Sequence, residues 1–327
     1  MARFKNGNLI LENEKSVVSG SESVIPIRNL IINGDMNIWQ RGTSWPGGVT
    51  GVPTYTADRW ACERTGSGNN TVAATGTSPD NFRTSLQFSS TDSNAKNLYV
   101  WQRIEGDNFR PLIGETVYVG AWVGMNITNS AWISIYSNPG SRDTWADAEN
   151  TNKTLVKSTS GFPVSADTWT YISTTFTVTD QCKNGVVIGI RFGQIEETAI
   201  CYLTGVRVHK GDTKIPWNLL SRPGEEEIAL CQRYYEAQGQ TLDVGVAYTT
   251  ANAYGPQCWF RVEKRVVPTM TNVSFQVYNS TGSWHNPATS STFYPKIWGF
   301  AIAYVDATVT AWSGSLTWTE YEADAEL

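Results

Sequence analysis

Residues 115–125 read ETVYVGAWVGM. Val117, Val119, Ala121, Val123 and Met125 occupy every second position, so in an extended chain they share one face. Two other segments keep the same period. In NGVVIGIRFG (184–193) the shared face is Ile188, Ile190 and Phe192. In TNVSFQVYN (271–279) it is Val273, Phe275 and Val277, with Asn272, Ser274 and Gln276 opposite. The period predicts half-buried strands with a wet outer face. Many short strands, punctuated by Gly, Asn, Ser, Asp and Pro, predict an antiparallel sandwich or barrel. A parallel sheet would need crossover connections of about a dozen residues, usually helical, and the chain has no series of them.

Composition agrees with a folded chain. Of 327 residues, 40% are hydrophobic and 17% charged, which is enough apolar material for real cores. The 25 basic and 30 acidic residues leave a formal charge of −5. No basic run marks a nucleic-acid surface. No apolar run approaches the roughly 20 residues of a membrane helix, so no membrane insertion is expected. The opening MARFKNGNLILENEKS is polar and does not read as a secretory signal. Cys62, Cys182, Cys201, Cys231 and Cys258 are widely spaced. With only His209 and His285 beside them, they do not form a zinc pattern. They read as buried free thiols of a protein folded in a reducing cytosol, with one long-range disulfide as the alternative.

One segment reads as a helix: SRPGEEEIALCQRYYEAQG (221–239). Ser221 caps it, and Pro223 stands in the first turn. Glu225, Glu226 and Glu227 favour the positive end of the dipole, and Gly239 stops it. Its apolar residues form two stripes, Ile228–Cys231–Tyr235 and Leu230–Tyr234. A helix apolar on two sides is covered on two sides, either by the adjoining domains or by equivalent helices of other subunits. In the second case Ile228, Cys231, Tyr234 and Tyr235 form a subunit interface. The helix divides the chain into a polar arm (1–28), a first β domain (29–219), the connector (220–239) and a smaller β domain (240–327). No repeat of 20–50 residues points to a solenoid or propeller.

Upstream, NLIINGDMNIWQRGTSW (29–45) is an apolar strand entering a turn. Asn33-Gly34 supplies the positive backbone angle that a tight turn needs. In YTADRW (55–60), Asp58 stands beside Arg59 before a Trp, which reads as a charge pair next to a buried Trp60. Arg103, Glu105 and Arg110 flank a further turn, after which Pro111 and Gly114 open the strand quoted first. LTGVRVHKGD (203–212) reads as a closing strand, with Gly205 marking a bulge or close approach.

Together with WQRIEGDNFRPLIGETVYVGAWV (101–123), WTYISTTFTV (169–178) and CYLTGVRVHKGD (201–212), these segments resemble the carbohydrate-binding-module-like jelly rolls of bacteriophage tail-fibre and virion-fibre proteins. RPGEEEIALCQRYYE (222–236) and WFRVEKRVVPTMT (259–271) extend the resemblance to roughly residues 29–275. It implies an all-β chain: an antiparallel jelly-roll β-sandwich, a connector helix, then a second smaller β domain. It implies a virion fibre or tail appendage made in the host cytoplasm, a homotrimer, whose arm (1–28) docks on other virion proteins. Its partner at the cell would be a host-surface glycan. Relatives often carry NGDFE where this chain has NGDMN (33–37), and acidic groups near that turn hold a structural calcium. Here Asp35 remains and Asn37 replaces the glutamate, so Asp35 is the one candidate calcium ligand, and an Asx turn without metal is the alternative. No other cofactor is implied.

The 14 Trp and 14 Tyr bear on that partner. A pyranose stacks its C–H face on a flat ring while its hydroxyls bond to polar side chains. Three segments present aromatics in loop-like surroundings. SAWISIYSNPGSRDTWADAEN (130–150) holds Trp132, Tyr136 and Trp145 near Arg142, Asp143 and Asp147. If Ile133 and Ile135 face the core, Trp132 and Tyr136 face away. RGTSWPGG (41–48) holds Trp45. STGSWHNPATSSTFYP (280–295) holds Trp284, His285, Phe293 and Tyr294. The candidate ligand-binding set is therefore Trp45, Trp132, Tyr136, Arg142, Asp143, Trp145, Trp284, His285 and Tyr294, with packing or subunit contact as the rival role.

No catalytic residue is expected. A nucleophilic triad would have to use His209 or His285, no nucleophile elbow precedes a helix, and no phosphate loop appears. Asp143, Asp147 and Glu149 are the only clustered carboxylates near aromatics. Three functions stay open: a receptor-binding fibre, a purely structural fibre, adaptor or capsid-decorating part, and a polysaccharide-cleaving enzyme.

Overall fold

The computed structural model describes residues 2–5, 8–11, 28–46, 53–64, 70–79, 81–91, 96–145, 153–247, 252–278, 284–285, 292–305 and 314–326. Two antiparallel sheets face each other over one core. The first runs, edge to edge, Thr154–Ser158, Asn129–Ser137, Val186–Ile195, Lys96–Ile104, Ala61–Arg64, Thr54–Tyr55, and Phe162–Val164 also pairs with Asn129–Ser137. The second runs Thr168–Thr177, Thr116–Met125, Ile200–Lys210, Ser85–Ser90, Asn70–Thr75, Ser44–Pro46. Most neighbours in each sheet come from distant parts of the sequence, as in a jelly roll, though Thr54–Tyr55 with Ala61–Arg64, Asn70–Thr75 with Ser85–Ser90, and Asn129–Ser137 with Thr154–Ser158 are consecutive.

The alternation that predicts the strands also builds the core. Val117, Val119, Ala121, Val123 and Met125 are buried against Ile133, Ile135, Ile188, Ile190 and Phe192 of the opposite sheet. Burying each large aliphatic side chain contributes about 1.5–3 kcal/mol before entropy is subtracted. Gly205 does mark a bulge. It has φ +62°, the register shifts between Thr204 and Arg207, and a β-carbon there would come within 2.6 Å of Phe82.

Several local expectations are corrected. The outer face of Thr116–Met125 is not wet, because aromatic rings from neighbouring strands cover it. Tyr118 stacks on His209 at 5.1 Å, and Trp122 meets Tyr171 edge-on at 5.1 Å. The opening segment 29–32 forms no strand; Asn33 supplies the positive angle expected of the Asn33-Gly34 turn (φ +55°), and Gly34 is needed because a β-carbon there would overlap the Val206 carbonyl oxygen. Trp60 is buried and donates to the Asn33 carbonyl at 2.8 Å, but Asp58 and Arg59 do not pair with each other. Asp58 accepts from the Gln40 backbone at 2.8 Å, and Arg59 pairs with Glu326.

The connector is shorter than its sequence suggests. One helical turn, Trp217–Leu220, precedes the helix Gly224–Gln232, and Tyr235 already begins a strand that runs to Ala247. That strand belongs to a third antiparallel sheet, ordered Trp284–His285, Thr269–Tyr278, Gly314–Asp324, Tyr235–Ala247, Asn252–Trp259, Gly299–Val305, Thr292–Lys296. At the N-terminus, Ala2–Lys5 and Asn8–Leu11 pair as a hairpin. All five cysteines are buried and unpaired. No described helix is long and apolar enough to cross a membrane.

Candidate aromatic binding face

The core-facing residues of the first sheet leave the alternate positions pointing outward, and register decides which of these become neighbours. One row across the sheet is Trp132, Arg191, Tyr99 and Glu63. The next is Ser134, Gly189, Trp101, Ala61 and Tyr55. The third is Tyr136, Val187 and Arg103. Gly189 therefore forms a low floor beside Ser134, with aromatic residues on either side. A β-carbon at Gly189 would meet nothing nearer than 3.6 Å. Trp132, Tyr136, Tyr99, Ser134, Gly189 and Arg191 remain partly exposed. Trp101 is buried beneath them, with Tyr55 edge-on to it at 6.2 Å.

Cations lie on these rings. The Arg191 guanidinium sits 4.1 Å from the centre of Trp132, and Lys153 Nζ lies 4.5 Å from that of Tyr136. Arg103 is held between Trp101 and Trp145, at 4.9 and 5.0 Å. Such contacts contribute about 0.5–2 kcal/mol each, depending on burial.

The sequence-derived candidates divide. Trp132, Tyr136 and Trp145 do converge on this face, and Ile133 and Ile135 point into the core as expected. Asp143 does not reach it as a free carboxylate. It has φ +54°, accepts the Gly106 backbone N–H at 2.6 Å, and lies 3.7 Å from Arg142, which also binds Asp107 at 3.2 Å. Those two residues close a loop. Trp45 lies on the edge strand of the second sheet, 5.9 Å from Trp39, and helps line a separate pocket of about 580 Å³ with Arg41 and Tyr235. Trp284 and His285 pair with Tyr278 and Val277 at one end of the third sheet's order, while Tyr294, exposed, stands on the strand at the other end. Trp284 and His285 thus lie on one strand and Tyr294 on another, rather than in one loop. Asp147 and Glu149 lie outside the described residues.

The proposed interface stripes are also redistributed. Cys231, Tyr234 and Tyr235 are buried inside this chain, while Ile228 is 43% exposed. Tyr234 packs under Arg59 at 3.5 Å and Tyr235 under Arg41 at 3.6 Å, which places both tyrosines at the junction between sandwich and third sheet.

Sequence reading missed Tyr99, Trp101, Arg103 and Arg191 because it looked for ligand-binding aromatics in loops. The signal was available. Arg191 stands between Ile190 and Phe192, so the period that sends those two inward sends Arg191 out. His209 has no triad geometry: its Nδ1 donates to the Lys210 carbonyl at 3.0 Å, and burial holds its pKa below the ordinary value. Asp35 accepts from Asn37 Nδ2 at 2.6 Å, and its backbone carbonyl accepts from Thr204 at 3.1 Å. Among the described residues no group of three or more acidic, His or Cys side chains is placed to hold a metal ion.

No protein-family model and no curated protein matches the chain. Among solved structures, the CBM22-1 xylan-binding domain from Paenibacillus barcinonensis is similar over 52% of this chain and 94% of its own, at 11% identity and a TM-score of 0.34. The C-terminal family 22 carbohydrate binding module of Clostridium thermocellum Xyn10B is similar over 49% of this chain and 91% of its own, at 11% identity and a TM-score of 0.33. The enzymatically active domain of tailspike protein 4 of Bacteriophage CBA120 is similar over 56% of this chain and 21% of its own, at 16% identity and a TM-score of 0.37.

Proposed function

We propose that this protein is a glycan-binding virion fibre or tail appendage, and that the outer face of the first sheet is where the sugar sits. The observation that carries the reading is the row alignment of Trp132, Tyr99, Trp101 and Tyr136 around the Gly189–Ser134 floor. Partly exposed rings beside an open floor suit stacking of pyranose C–H faces, and Ser134 and Arg191 suit hydroxyl contacts. The virion role rests on the resemblance over residues 29–275. With it come a homotrimer, an arm (1–28) that docks on other virion proteins, and a host-surface glycan as partner. Weak single sites on a trimer would add through avidity. The reading gives the chain no catalytic role.

A second reading, a structural virion part without receptor binding, is favoured by one observation. Trp259, at the end of a third-sheet strand, and Trp298, in the turn before Gly299–Val305, stand 4.9 Å apart with 64% and 39% of their surface exposed. Exposed paired indoles are ordinary at contacts between copies.

The test is the solution mass followed by glycan and host-cell binding of that same species. Binding that falls at least about tenfold in Trp132→Ala, with Trp259→Ser unaffected, supports the glycan face. Cell binding that ignores Trp132→Ala, or an oligomer that binds nothing, moves the protein to the structural reading. A monomer removes the support for a fibre.

A further inference from the structure

The strand Thr116–Met125 carries two glycines that its apolar period does not explain. Gly120 and Gly124 take outward positions, alternating with the inward Val119, Ala121 and Val123. We propose that Gly124 seats a second saccharide-binding platform, made of Trp169 and Tyr202, on the outer face of the second sheet, and that its ligand is an uncharged pyranosyl saccharide. The platform lies on the other side of the sandwich from the face described above and needs no ligand there.

Register puts Trp169, Gly124, Tyr202 and Gln87 in one row across four neighbouring strands, and Tyr171, Trp122 and Thr204 in the next. A β-carbon at Gly124 would meet three atoms of the Trp169 indole at 3.3, 3.3 and 3.5 Å, so the glycine lets that ring lie across the strand instead of standing up from it. Gly120 does the same for Tyr171, whose hydroxyl a β-carbon there would overlap. The Trp169 ring centre lies 5.7 Å from that of Tyr202, with the planes 45° apart. Tyr171 is already covered, since Lys214 Nζ lies 3.8 Å from its centre. Among the described residues no cation lies over Trp169 or Tyr202, and both stay partly exposed.

The surroundings of the two rings favour a sugar over another protein surface. Neither row carries a Val, Leu, Ile, Met or Phe side chain, so the rings are flanked by hydroxyl and amide groups rather than by an aliphatic patch. A sugar stacks its C–H face on a ring while its hydroxyls seek hydrogen bonds, whereas the centre of a contact between copies is more apolar than this. The rim supplies the polar partners. Gln87 continues the row past Tyr202. Asp167 lies near enough to Tyr202 for its charge to add to the burial that raises the Tyr202 pKa. Neither the Gln87 nor the Asp167 side chain has a hydrogen bond or an ion pair among the described residues, so an amide and a carboxylate are open to sugar hydroxyls. A carboxylate at the rim, with no cation on either ring, selects against an acidic sugar.

The experiment uses the full chain and short neutral oligosaccharides of glucose, mannose and galactose, with affinity and stoichiometry read by calorimetry and the oligomeric state by solution mass. The proposal expects Trp169→Ala to weaken binding at this platform at least about tenfold and Trp169→Phe to keep part of it. It expects Gly124→Ala to weaken binding too, because the new methyl group displaces the indole while every side chain of the platform remains. Trp132→Ala removes binding at the first sheet only, so a chain with both faces active takes up two saccharides and either single variant one. Saccharide binding unchanged by Trp169→Ala overturns the proposal, and binding lost in Trp132→Ala alone leaves the first face as the single site. If Trp169→Ala instead turns an oligomer into a monomer with saccharide binding intact, the rings belong to a contact between copies and the proposal fails. A folded protein that binds none of these oligosaccharides overturns it as well. If Trp169→Ala does not fold, Tyr202→Ser and Gln87→Ala decide on the same readings.

Discussion

Arg59 and Glu326, 267 positions apart in sequence, form an ion pair inside the protein, with side chains only 1% and 6% exposed. Glu326 also reaches Arg41 at 3.4 Å, and Arg41 holds Asp324 at 3.1 Å. Both arginines lie over the tyrosines where the third sheet starts, and Ala325 N–H donates to the Tyr234 carbonyl at 2.6 Å. Arg59 continues into the sandwich by donating to the Arg103 carbonyl at 2.7 Å. The last strand of the third sheet is thus tied by charge to the sheet that carries the aromatic face.

Glu326→Ala leaves the Arg59 guanidinium buried without its carboxylate, and removing one partner of a buried pair costs about 3 kcal/mol. Urea unfolding of the variant should show a loss of that size. A loss below about 1 kcal/mol, the value of an exposed pair, would mean that water reaches the junction.

Gly34→Ala should be costly for a different reason. A methyl group there lands on the Val206 carbonyl oxygen, which already accepts Asn29 Nδ2 at 3.0 Å, while Val206 N–H donates back to Gly34 at 2.8 Å. The backbone on both sides is fixed, so the clash cannot be relieved by a side-chain rotation. Thermal unfolding should report a loss of about 1–3 kcal/mol. At Gly76 nothing lies within 4 Å of a new β-carbon, and Gly76→Ala should change stability by less than about 0.5 kcal/mol. Equal effects at the two sites would contradict the close approach at Gly34.

How much of this was legible in the sequence depends on what each residue touches. The inward residues of 115–125 and 184–193 follow from period alone, since burial on one face needs only that face to be apolar. Gly205 was legible because only a special backbone position explains a glycine inside a closing strand. The end of the helix was not. Tyr234 and Tyr235 extend an apolar helical pattern, but arginines from residues 41 and 59 cover them in a turn and a strand, and tertiary contact overrides local preference. The aromatic face was half legible. Trp132 and Tyr136 declare themselves by alternating with Ile133 and Ile135, whereas their neighbours Arg191 and Tyr99 come from register between strands that no single segment reveals.

Asp35 gives a prediction in pH. Burial, with nearby Glu227 adding to it, raises its pKa above the ordinary 3.8. A carboxyl held above its unfolded value stabilises the fold fully below pH 3.8, and that contribution is lost as pH rises through the folded value. Asp35→Asn removes this dependence. The variant should match the wild type in acid and be the more stable of the two near neutrality, as read by thermal melts across that interval. The reverse order near neutrality in the presence of calcium, with calcium raising the melting temperature of the wild type alone, would make Asp35 a metal ligand after all.

The thiols give the last. Burial raises the pKa of Cys62 to about 12, with the Thr56 hydroxyl offsetting part of the rise, and lifts that of Cys231 well above the ordinary thiol value, with Asp58 and Glu227 adding to it. Cys182 and Cys201 are raised by the same desolvation. A thiolate is the reactive form, so a thiol held protonated and away from solvent reacts only when the chain opens. The native protein near neutral pH should therefore resist an aromatic disulfide reagent, with labelling slowed to the rate of unfolding. In denaturant without reductant, all five cysteines should react. A count of three in denaturant, five less the two of one bridge, would show a disulfide and contradict the five free thiols. Rapid labelling of one thiol in the native state would show that its burial is intermittent.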